Sequence, residues 1–255
     1  MIEFEELTRV FDGKKAVDRI SLRIEPGEIL GFLGPNGAGK TTTVKMLTGM
    51  ILPSSGTARV AGFDVSESPQ EVKRRIGYVP ESGALFESLT AWEHLELISE
   101  LHHIKPETAR NRIEELLGLF GIAEDRDQYL SRFSKGMKQK VLLAAALLPN
   151  PEVLFLDEPL NGLDANTSLV IKELLKKLAA QGKTIMFCSH ILEVVERICT
   201  RIAIIDRGQI VATGTTDEIM AATSQKTLER AFSQLTGSPD VHQSSEDFLQ
   251  ALERV

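Results

Sequence analysis

The chain has 255 residues, enough for one large domain or two small ones. With 42% hydrophobic and 25% charged residues it has a globular composition, which excludes disordered, collagen-like and disulfide-scaffold proteins. The 29 basic and 36 acidic residues give a formal net charge of −7 without a long basic block, so nucleic acid is not an expected partner.

The N-terminal part alternates apolar and polar residues. Residues 1–28 and 56–66 follow this pattern and are broken by glycines and by Pro26, which predicts a small antiparallel sheet. The first residues are acidic and lack the basic and apolar regions of a signal peptide. We therefore expect the chain to stay in the compartment where it is made.

Five short apolar runs then recur along the chain, each followed by glycine or by polar residues. Runs of this kind predict strands that are buried on both faces, as in a parallel sheet covered by helices. They cover residues 29–33, 76–79, 153–156, 184–188 and 201–206. The two cysteines, Cys188 and Cys199, lie in apolar stretches and are predicted to be buried thiols rather than a disulfide.

A helical insert is predicted at about 84–148, between the second and third of these strands. Thr90 and Glu93 have the spacing of a capping box, and Pro106 suits a first helical turn. The longest apolar run, 141–148, is far shorter than the ~20 residues of a membrane-spanning helix. After Gly214 we expect short helices, two of them within 224–255, so that residues 238–255 form a helical C-terminal extension.

The motif GPNGAGKTT follows the first predicted strand and precedes a predicted helix, which is the context that a phosphate-binding loop requires. Glycines allow successive backbone N–H groups to converge on phosphate oxygens, at the positive end of a helix. The alternative is a glycine turn that precedes a lysine by chance. The candidate nucleotide-binding residues are Gly34, Pro35, Asn36, Gly37, Ala38, Gly39, Lys40, Thr41 and Thr42, with Lys40 on the phosphates and Thr41 on Mg²⁺.

The third predicted strand, 153–156, is followed by two carboxylates, Asp157 and Glu158. This is the layout of the Mg²⁺-binding strand in phosphate-loop NTPases, so Asp157 is a candidate metal ligand. Glu158 is then a candidate base for a water that attacks the γ-phosphate. Alone, this motif is also compatible with an ordinary turn.

These motifs together resemble those of the ATP-binding subunit of an ABC transporter, and the likeness covers about residues 2–237. The segment FSKGMKQK at 133–140 resembles the signature LSGGQ, with Met137 in place of the glutamine. It retains Ser134, a natural helix N-cap, and Gly136. The resemblance implies that this segment contacts the γ-phosphate of ATP bound by the other subunit of a head-to-tail dimer.

Three further positions match the family. Asp164 resembles the D-loop aspartate, which contacts the partner subunit, and also suits an N-cap for a helix at 166–180. His190 resembles the switch histidine, which contacts the γ-phosphate. Phe11 lies where the family has an aromatic residue that stacks on adenine, with core packing as the rival interpretation.

One position departs from the family. Where the family usually has glutamine after the 76–79 strand, this chain has Glu81, which can ligate Mg²⁺ but adds negative charge near the γ-phosphate. Leu85, Phe86 and Leu89 lie in the stretch where the family receives a helix of the membrane subunit, and ordinary core packing is equally compatible with them.

The resemblance implies an α/β fold: a phosphate-loop NTPase core with an N-terminal antiparallel β-subdomain, a helical insert and a short helical tail. It implies an ATP hydrolase that uses ATP and Mg²⁺ and powers a separate polytopic membrane subunit, in the manner of bacterial exporters. The second ATP-binding subunit is an identical chain or a paralogue, and the location is peripheral, on the cytoplasmic face of the membrane. The alternatives are a soluble ABC-type ATPase outside transport and a nucleotide-sensing module that does not hydrolyse ATP.

Overall fold

The computed structural model describes residues 1–82 and 85–237. The strands in chain order are β1 (Ile2–Phe11), β2 (Lys14–Ile24), β3 (Ile29–Leu33), β4 (Ser55–Val60), β5 (Phe63–Asp64), β6 (Ile76–Val79), β7 (Val153–Asp157), β8 (Thr184–Cys188), β9 (Arg201–Asp206) and β10 (Gln209–Gly214). The helices are α1 (Lys40–Leu47), α2 (Pro69–Arg75), α3 (Ala91–Leu101), α4 (Pro106–Leu119), α5 (Lys135–Leu147), α6 (Ala165–Ala180), α7 (Leu192–Ile198), α8 (Thr216–Thr223) and α9 (Leu228–Thr236).

The main sheet has six strands in the order β10-β9-β3-β8-β7-β6. All neighbours pair in parallel except β10, which is antiparallel to β9. Every residue of β3, β7 and β8 is buried, as expected for strands covered on both faces. The five predicted strands are therefore confirmed, and the third runs one residue further, to Asp157.

The predicted small antiparallel sheet is also confirmed. Its strands lie in the order β2-β1-β4-β5, and β1 pairs with both β2 and β4. Its apolar side chains, such as Ile2 and Phe4, join the core formed by one face of the main sheet.

Two apolar clusters lie on opposite faces of the main sheet. Because side chains alternate along a strand, Ile29 and Leu33 of β3 belong to the cluster with the helical insert, whereas Leu30 and Phe32 belong to the cluster with the small sheet and α1. Cys188 lies in the second cluster and Cys199 packs against the first. The two thiols are free, as predicted, and Cys188 is buried, whereas Cys199 is only partly buried.

The helical insert contains α3, α4 and α5. The capping box of Thr90 and Glu93 and the position of Pro106 at the start of α4 are as predicted. The insert's last helix packs Val141 and Ala144 into the core. None of the helices within residues 1–82 and 85–237 combines the length and the apolar character needed to cross a membrane.

The C-terminal part contains α8, which begins with a capping box of Thr215 and Glu218, and α9. Both pack onto the core through Ile219, Leu228 and Ala231. The second helix expected in the tail, within 238–255, lies outside the described residues, so that extension stays a prediction.

Candidate nucleotide-binding site

Four polar segments follow the carboxyl ends of neighbouring parallel strands. They come after β3, β6, β7 and β8, which are adjacent in the sheet. In open α/β sheets this edge is where ligands bind. The fold therefore brings the four segments to one edge of the sheet.

The phosphate loop connects β3 to α1, and its glycines are required by close backbone contacts. A Cβ at Gly34 would lie 2.2 Å from the carbonyl oxygen of Ile205, which no side chain can tolerate. Gly37 and Gly39 have φ of +79° and +112°, a region that favours glycine. The loop ends at Lys40, the first residue of α1, so that its backbone N–H groups lie at the positive end of this helix.

Lys40 folds back over the loop. Its Nζ donates hydrogen bonds to the carbonyl oxygens of Gly34 at 2.6 Å and Pro35 at 3.0 Å. The ammonium group is therefore held above the loop, where phosphate oxygens would lie.

Asp157 is the last residue of β7 and is 2% exposed. The Thr41 hydroxyl donates to its Oδ2 at 3.2 Å, so two of the three predicted Mg²⁺ ligands are brought together. Burial, helped by the charges of Glu81 and Glu158 and opposed by the Thr41 hydrogen bond and the charge of Lys40, raises the pKa of Asp157 to about 6. A buried carboxylate with this excess of negative charge around it suits a divalent cation.

No group of three or more His, Cys, Asp or Glu side chains suited to a metal occurs in the described part of the chain. Mg²⁺ is usually held by one or two carboxylates, waters and the phosphates of the substrate, so it does not require such a group. Glu81 is exposed, yet its charge contributes to the raised pKa values of Asp157 and Tyr78. It therefore lies within electrostatic reach of the candidate metal ligands.

Glu158 is nearly buried, and donors from the end of β8 surround its carboxylate. Oε1 accepts from the backbone N–H of His190 at 2.8 Å and lies 2.7 Å from His190 Nδ1, while Oε2 accepts from the Ser189 hydroxyl at 3.3 Å. Its backbone φ is +51°, which is uncommon for residues other than glycine. Strained backbone conformations of this kind are concentrated at functional sites. The two predicted residues, Glu158 and His190, are therefore in direct contact.

The segment at 133–140 begins α5. Ser134 caps this helix, because its hydroxyl accepts from the backbone N–H of Met137 at 3.2 Å. The Met137 side chain is half-buried against the core. A Cβ at Gly136 would lie 2.5 Å from the carbonyl oxygen of Gly162, so the helix start packs directly on the loop after β7.

That loop leads into α6 through Asp164, which is the predicted N-cap. Asp164 accepts from the backbone N–H of Thr167 at 2.8 Å and from the Thr167 hydroxyl at 2.6 Å. These hydrogen bonds lower the pKa of Asp164 to about 2. The carboxylate is therefore ionised at neutral pH and fixed in direction.

Phe11 ends β1 and is 42% exposed, so core packing of this ring is excluded. The guanidinium of Arg9 lies over the ring, 4.5 Å from its centroid. Arg9 Nη1 also donates to the carbonyl oxygen of Leu52, in the segment after α1, at 2.8 Å.

The hairpin that follows Phe11 is packed against the phosphate loop. A Cβ at Gly39 would lie 2.6 Å from the Ala16 carbonyl oxygen, and one at Gly208 would lie 3.0 Å from the same atom. The backbone N–H of Gly208 donates to the carbonyl oxygen of Ala38 at 2.9 Å, and the backbone N–H of Asp18 donates to the carbonyl oxygen of Gly208 at 2.8 Å. The turn at 207–208 thus joins β2 to the phosphate loop.

Comparison with known proteins identifies the family. The model of the family described as "ABC transporter" matches residues 17–161. This chain belongs to the ABC transporter family, as an ATP-binding subunit. It is 46% identical over 204 residues to an ABC transporter ATP-binding protein of Nostoc, which covers 79% of this chain and 60% of that protein.

The chain is also similar to the daunorubicin/doxorubicin resistance ATP-binding protein DrrA of Streptomyces peucetius, at 37% identity over 227 residues, 89% of this chain and 69% of DrrA. A solved ATP-binding subunit of an ABC transporter superposes with a TM-score of 0.87 at 30% identity, over 92% of this chain and 99% of that one. A dimeric ATP-binding cassette in a post-hydrolysis state, bound to ADP and Pi, gives 0.78 at 26% identity, over 84% and 98%. These matches confirm the predicted fold class and the predicted type of ABC subunit.

The ABC cassette also uses contacts that its sequence did not predict. Gln139 is buried and donates to the carbonyl oxygen of Pro159 at 3.0 Å, which joins the start of α5 to the loop after β7. The sequence also predicts no role for Ser189, although its hydroxyl donates a hydrogen bond to Glu158. The position of Gln139 within the signature segment was the available signal for the first contact.

The loop before α3 is attached to the signature segment. Glu87 forms an ion pair with Lys138 of α5 at 2.5 Å, and its carbonyl oxygen accepts from the backbone N–H of Ser131 at 3.1 Å. Of the apolar residues predicted in this loop, Leu85 packs against the core, whereas Phe86 is 57% exposed. Phe86 is thus available to a partner, and Leu89, the third residue of the group, is half-buried.

Proposed function

We propose that this chain binds ATP with Mg²⁺ and hydrolyses it to drive a separate membrane-spanning subunit, with residues 1–237 as the ATP-binding domain. The observation that carries the proposal is the adjacency of Thr41, Asp157 and Glu158, with Glu158 held in place by His190. This arrangement offers a metal site, a phosphate loop and a base at one edge of the sheet.

In this proposal residues 34–42 cradle the phosphates, and Lys40 exchanges its carbonyl partners for the β- and γ-phosphate oxygens. Thr41, Asp157 and Glu81 would hold the Mg²⁺. The bound cation supplies neutralisation of the phosphate charge. The raised pKa of Asp157 supports this assignment, because the buried carboxylate gains most from a cation.

Glu158 acts as the base that orients the attacking water and takes its proton. Since its carboxylate accepts hydrogen bonds from Ser189 and from the His190 backbone, it cannot rotate freely. His190 Nδ1 lies 2.7 Å from Glu158 Oε1, which leaves Nε2 as the ring nitrogen that would face the γ-phosphate.

The second ATP-binding subunit is another copy of this chain or a paralogue. Ser134, Gly136 and Met137 lie at the positive end of α5, which suits the γ-phosphate of ATP held by that partner. Asp164, which forms an ion pair with Lys140 of α5 at 3.7 Å, would contact the partner as well. The dimeric cassette among the structural relatives supports this arrangement.

The membrane subunit is proposed to dock at the loop that carries Phe86, with this chain on the cytoplasmic face of the membrane. The similarity to DrrA, a protein named for drug resistance, favours export as the direction of transport. The net charge of −7 disfavours nucleic acid as a partner.

The test measures phosphate release by the full chain and its capture of a co-expressed polytopic membrane subunit. We expect Lys40→Ala to abolish ATP binding, while the matched control Lys45→Ala, an exposed position on the same helix, keeps it. Unchanged ATP affinity after Lys40→Ala in a calorimetric titration would reject the phosphate loop as the ATP site. Hydrolysis without capture of a membrane subunit would instead favour an ATPase outside transport.

A further inference from the structure

Arg9 lies beside Phe11, the residue predicted to stack on adenine, and the proposed function gives Arg9 no role. Its guanidinium covers one face of the Phe11 ring at 4.5 Å from the centroid. A ring has two faces, and Phe11 keeps 42% of its surface exposed. The exposed part of the residue provides surface on which a planar group could stack from the other side.

The position of Arg9 is fixed at both ends. Nη1 donates to the Leu52 carbonyl oxygen, and Leu52 follows the helix that begins at Lys40. Nε is buried and has no hydrogen-bond partner in the part of the chain that the structure describes. The guanidinium is therefore held over Phe11 by the Leu52 hydrogen bond and by its contact with the ring, not by a hydrogen bond at Nε.

Phe11 by itself is weakly constrained. It is the last residue of β1, and Asp12 and Gly13 after it have positive φ of 46° and 79°. A ring at the end of a strand can adopt several rotamers, and an aromatic residue that must receive a base loses affinity when it has to be ordered first. Arg9 removes that freedom before the ligand arrives.

Resting on the proposed function, we infer that Arg9 is a positioning residue for the nucleotide base: it orders the Phe11 ring from behind so that the opposite face stacks on adenine. Arginine suits this role because its planar group stacks on aromatic faces, whereas lysine is a point charge. The attachment to Leu52 ties the ring to the segment after α1, and the hairpin is packed on the phosphate loop through Ala16.

The test compares ADP with pyrophosphate, in Mg²⁺, by calorimetric titration of the full chain. Pyrophosphate has no base, so its binding reports the phosphate loop alone. An exposed cation–π contact corresponds to roughly a 2- to 5-fold change in an equilibrium constant. We expect Arg9→Ala to weaken ADP binding by about that factor and to leave pyrophosphate binding unchanged, which also shows that the variant is folded.

Three variants complete the design. Arg59→Ala removes the same charge from an exposed position of the same sheet and should change neither ligand. Phe11→Ala should weaken ADP binding, and adding Arg9→Ala to it should have no further effect. Arg9→Lys, which keeps the charge without the planar group, should lie between Arg9→Ala and the unmodified chain.

Several results would overturn the inference. Equal weakening of ADP and pyrophosphate would mean that Arg9 acts through its charge on the phosphates. An undiminished effect of Arg9→Ala in the Phe11→Ala background would mean that the ring is not involved, and an unchanged ADP affinity would mean that Arg9 has no role in binding. If the unmodified chain bound neither ligand, the proposed function itself would fail, a result distinct from the other three.

Discussion

Replacing Glu158 by glutamine tests its proposed role as the catalytic base while most of its structural contacts are kept. Glutamine has nearly the same shape, and its amide oxygen can still accept from the His190 side, where the distances are 2.7 and 2.8 Å. It loses the negative charge, and its NH₂ group faces the Ser189 hydroxyl. The exchange therefore weakens the hydrogen bonds without removing them.

The expected magnitudes separate stability from catalysis. Hydrogen bonds to a charged group contribute about 1.5–3 kcal/mol and neutral ones about 0.5–1.5 kcal/mol, so the free energy of unfolding should fall by roughly 1–2 kcal/mol. Loss of a general base lowers the rate by at least ~100-fold, which corresponds to about 2.7 kcal/mol of activation free energy. ATP affinity should stay unchanged, because the phosphate loop is not altered.

The assay is phosphate release under single-turnover conditions, together with light scattering in the presence of ATP. We expect Glu158→Gln to be nearly inactive and to accumulate an ATP-bound dimer, because closure no longer ends in hydrolysis. Glu193→Gln removes the same charge from an exposed position early in α7 and should leave both quantities unchanged. A turnover within about 3-fold of the unmodified chain would show that Glu158 is not the base. A species that stays monomeric with ATP would reject a dimer of identical chains.

Three further substitutions test neighbouring parts of the site. If Glu81 contributes to the metal site, Glu81→Gln should raise the Mg²⁺ concentration for half-maximal ATP hydrolysis at unchanged nucleotide affinity; higher basal turnover would instead indicate that its charge repels the phosphate. Gly136→Ala should abolish the ATP-dependent dimer, because the new methyl group would meet the Gly162 carbonyl oxygen at 2.5 Å. The control Gly118→Ala, where a Cβ meets nothing within 4 Å, should be stable and active. A normal dimer with Gly136→Ala would contradict this prediction. Asp157→Asn should raise the unfolding temperature of the metal-free chain at pH 7, because it removes a buried charge. Since folding raises the pKa of Asp157 from 3.8 to about 6, the gain in stability should be full above pH 6 and vanish below pH 3.8. A gain that persists at pH 3 would show that the buried charge is not its cause.

The strands and the phosphate loop could be predicted because their signals are local. Continuous apolar runs indicate buried strands, and a glycine-rich loop between a strand and a helix has few other uses. The positions of Asp157 and Glu158 follow from the same strand pattern. The capping residues Thr90, Ser134 and Asp164 were predictable for the same reason, since a cap and its helix are adjacent in sequence.

The contacts that were not predicted join residues far apart in the chain. Arg9 meets Leu52, and Glu87 meets Lys138, at sequence separations of 43 and 51. Nothing in the local pattern of either residue identifies its partner, because the pairing depends on how loops are brought together by the folded core. The positive φ of Glu158 is likewise set by tertiary packing rather than by local preference.

The close approach of Ala16 to Gly39 and Gly208 has a mechanical consequence. With backbone atoms this close and a hydrogen bond on each side of the turn, the hairpin after Phe11 cannot shift relative to the phosphate loop without breaking both. The spacing between the end of β1, which carries Phe11, and the phosphate loop is therefore fixed by these contacts, and so would be the distance from the phosphates to a base stacked on Phe11. Any movement that accompanies the ATP cycle must then be carried by other parts of the chain.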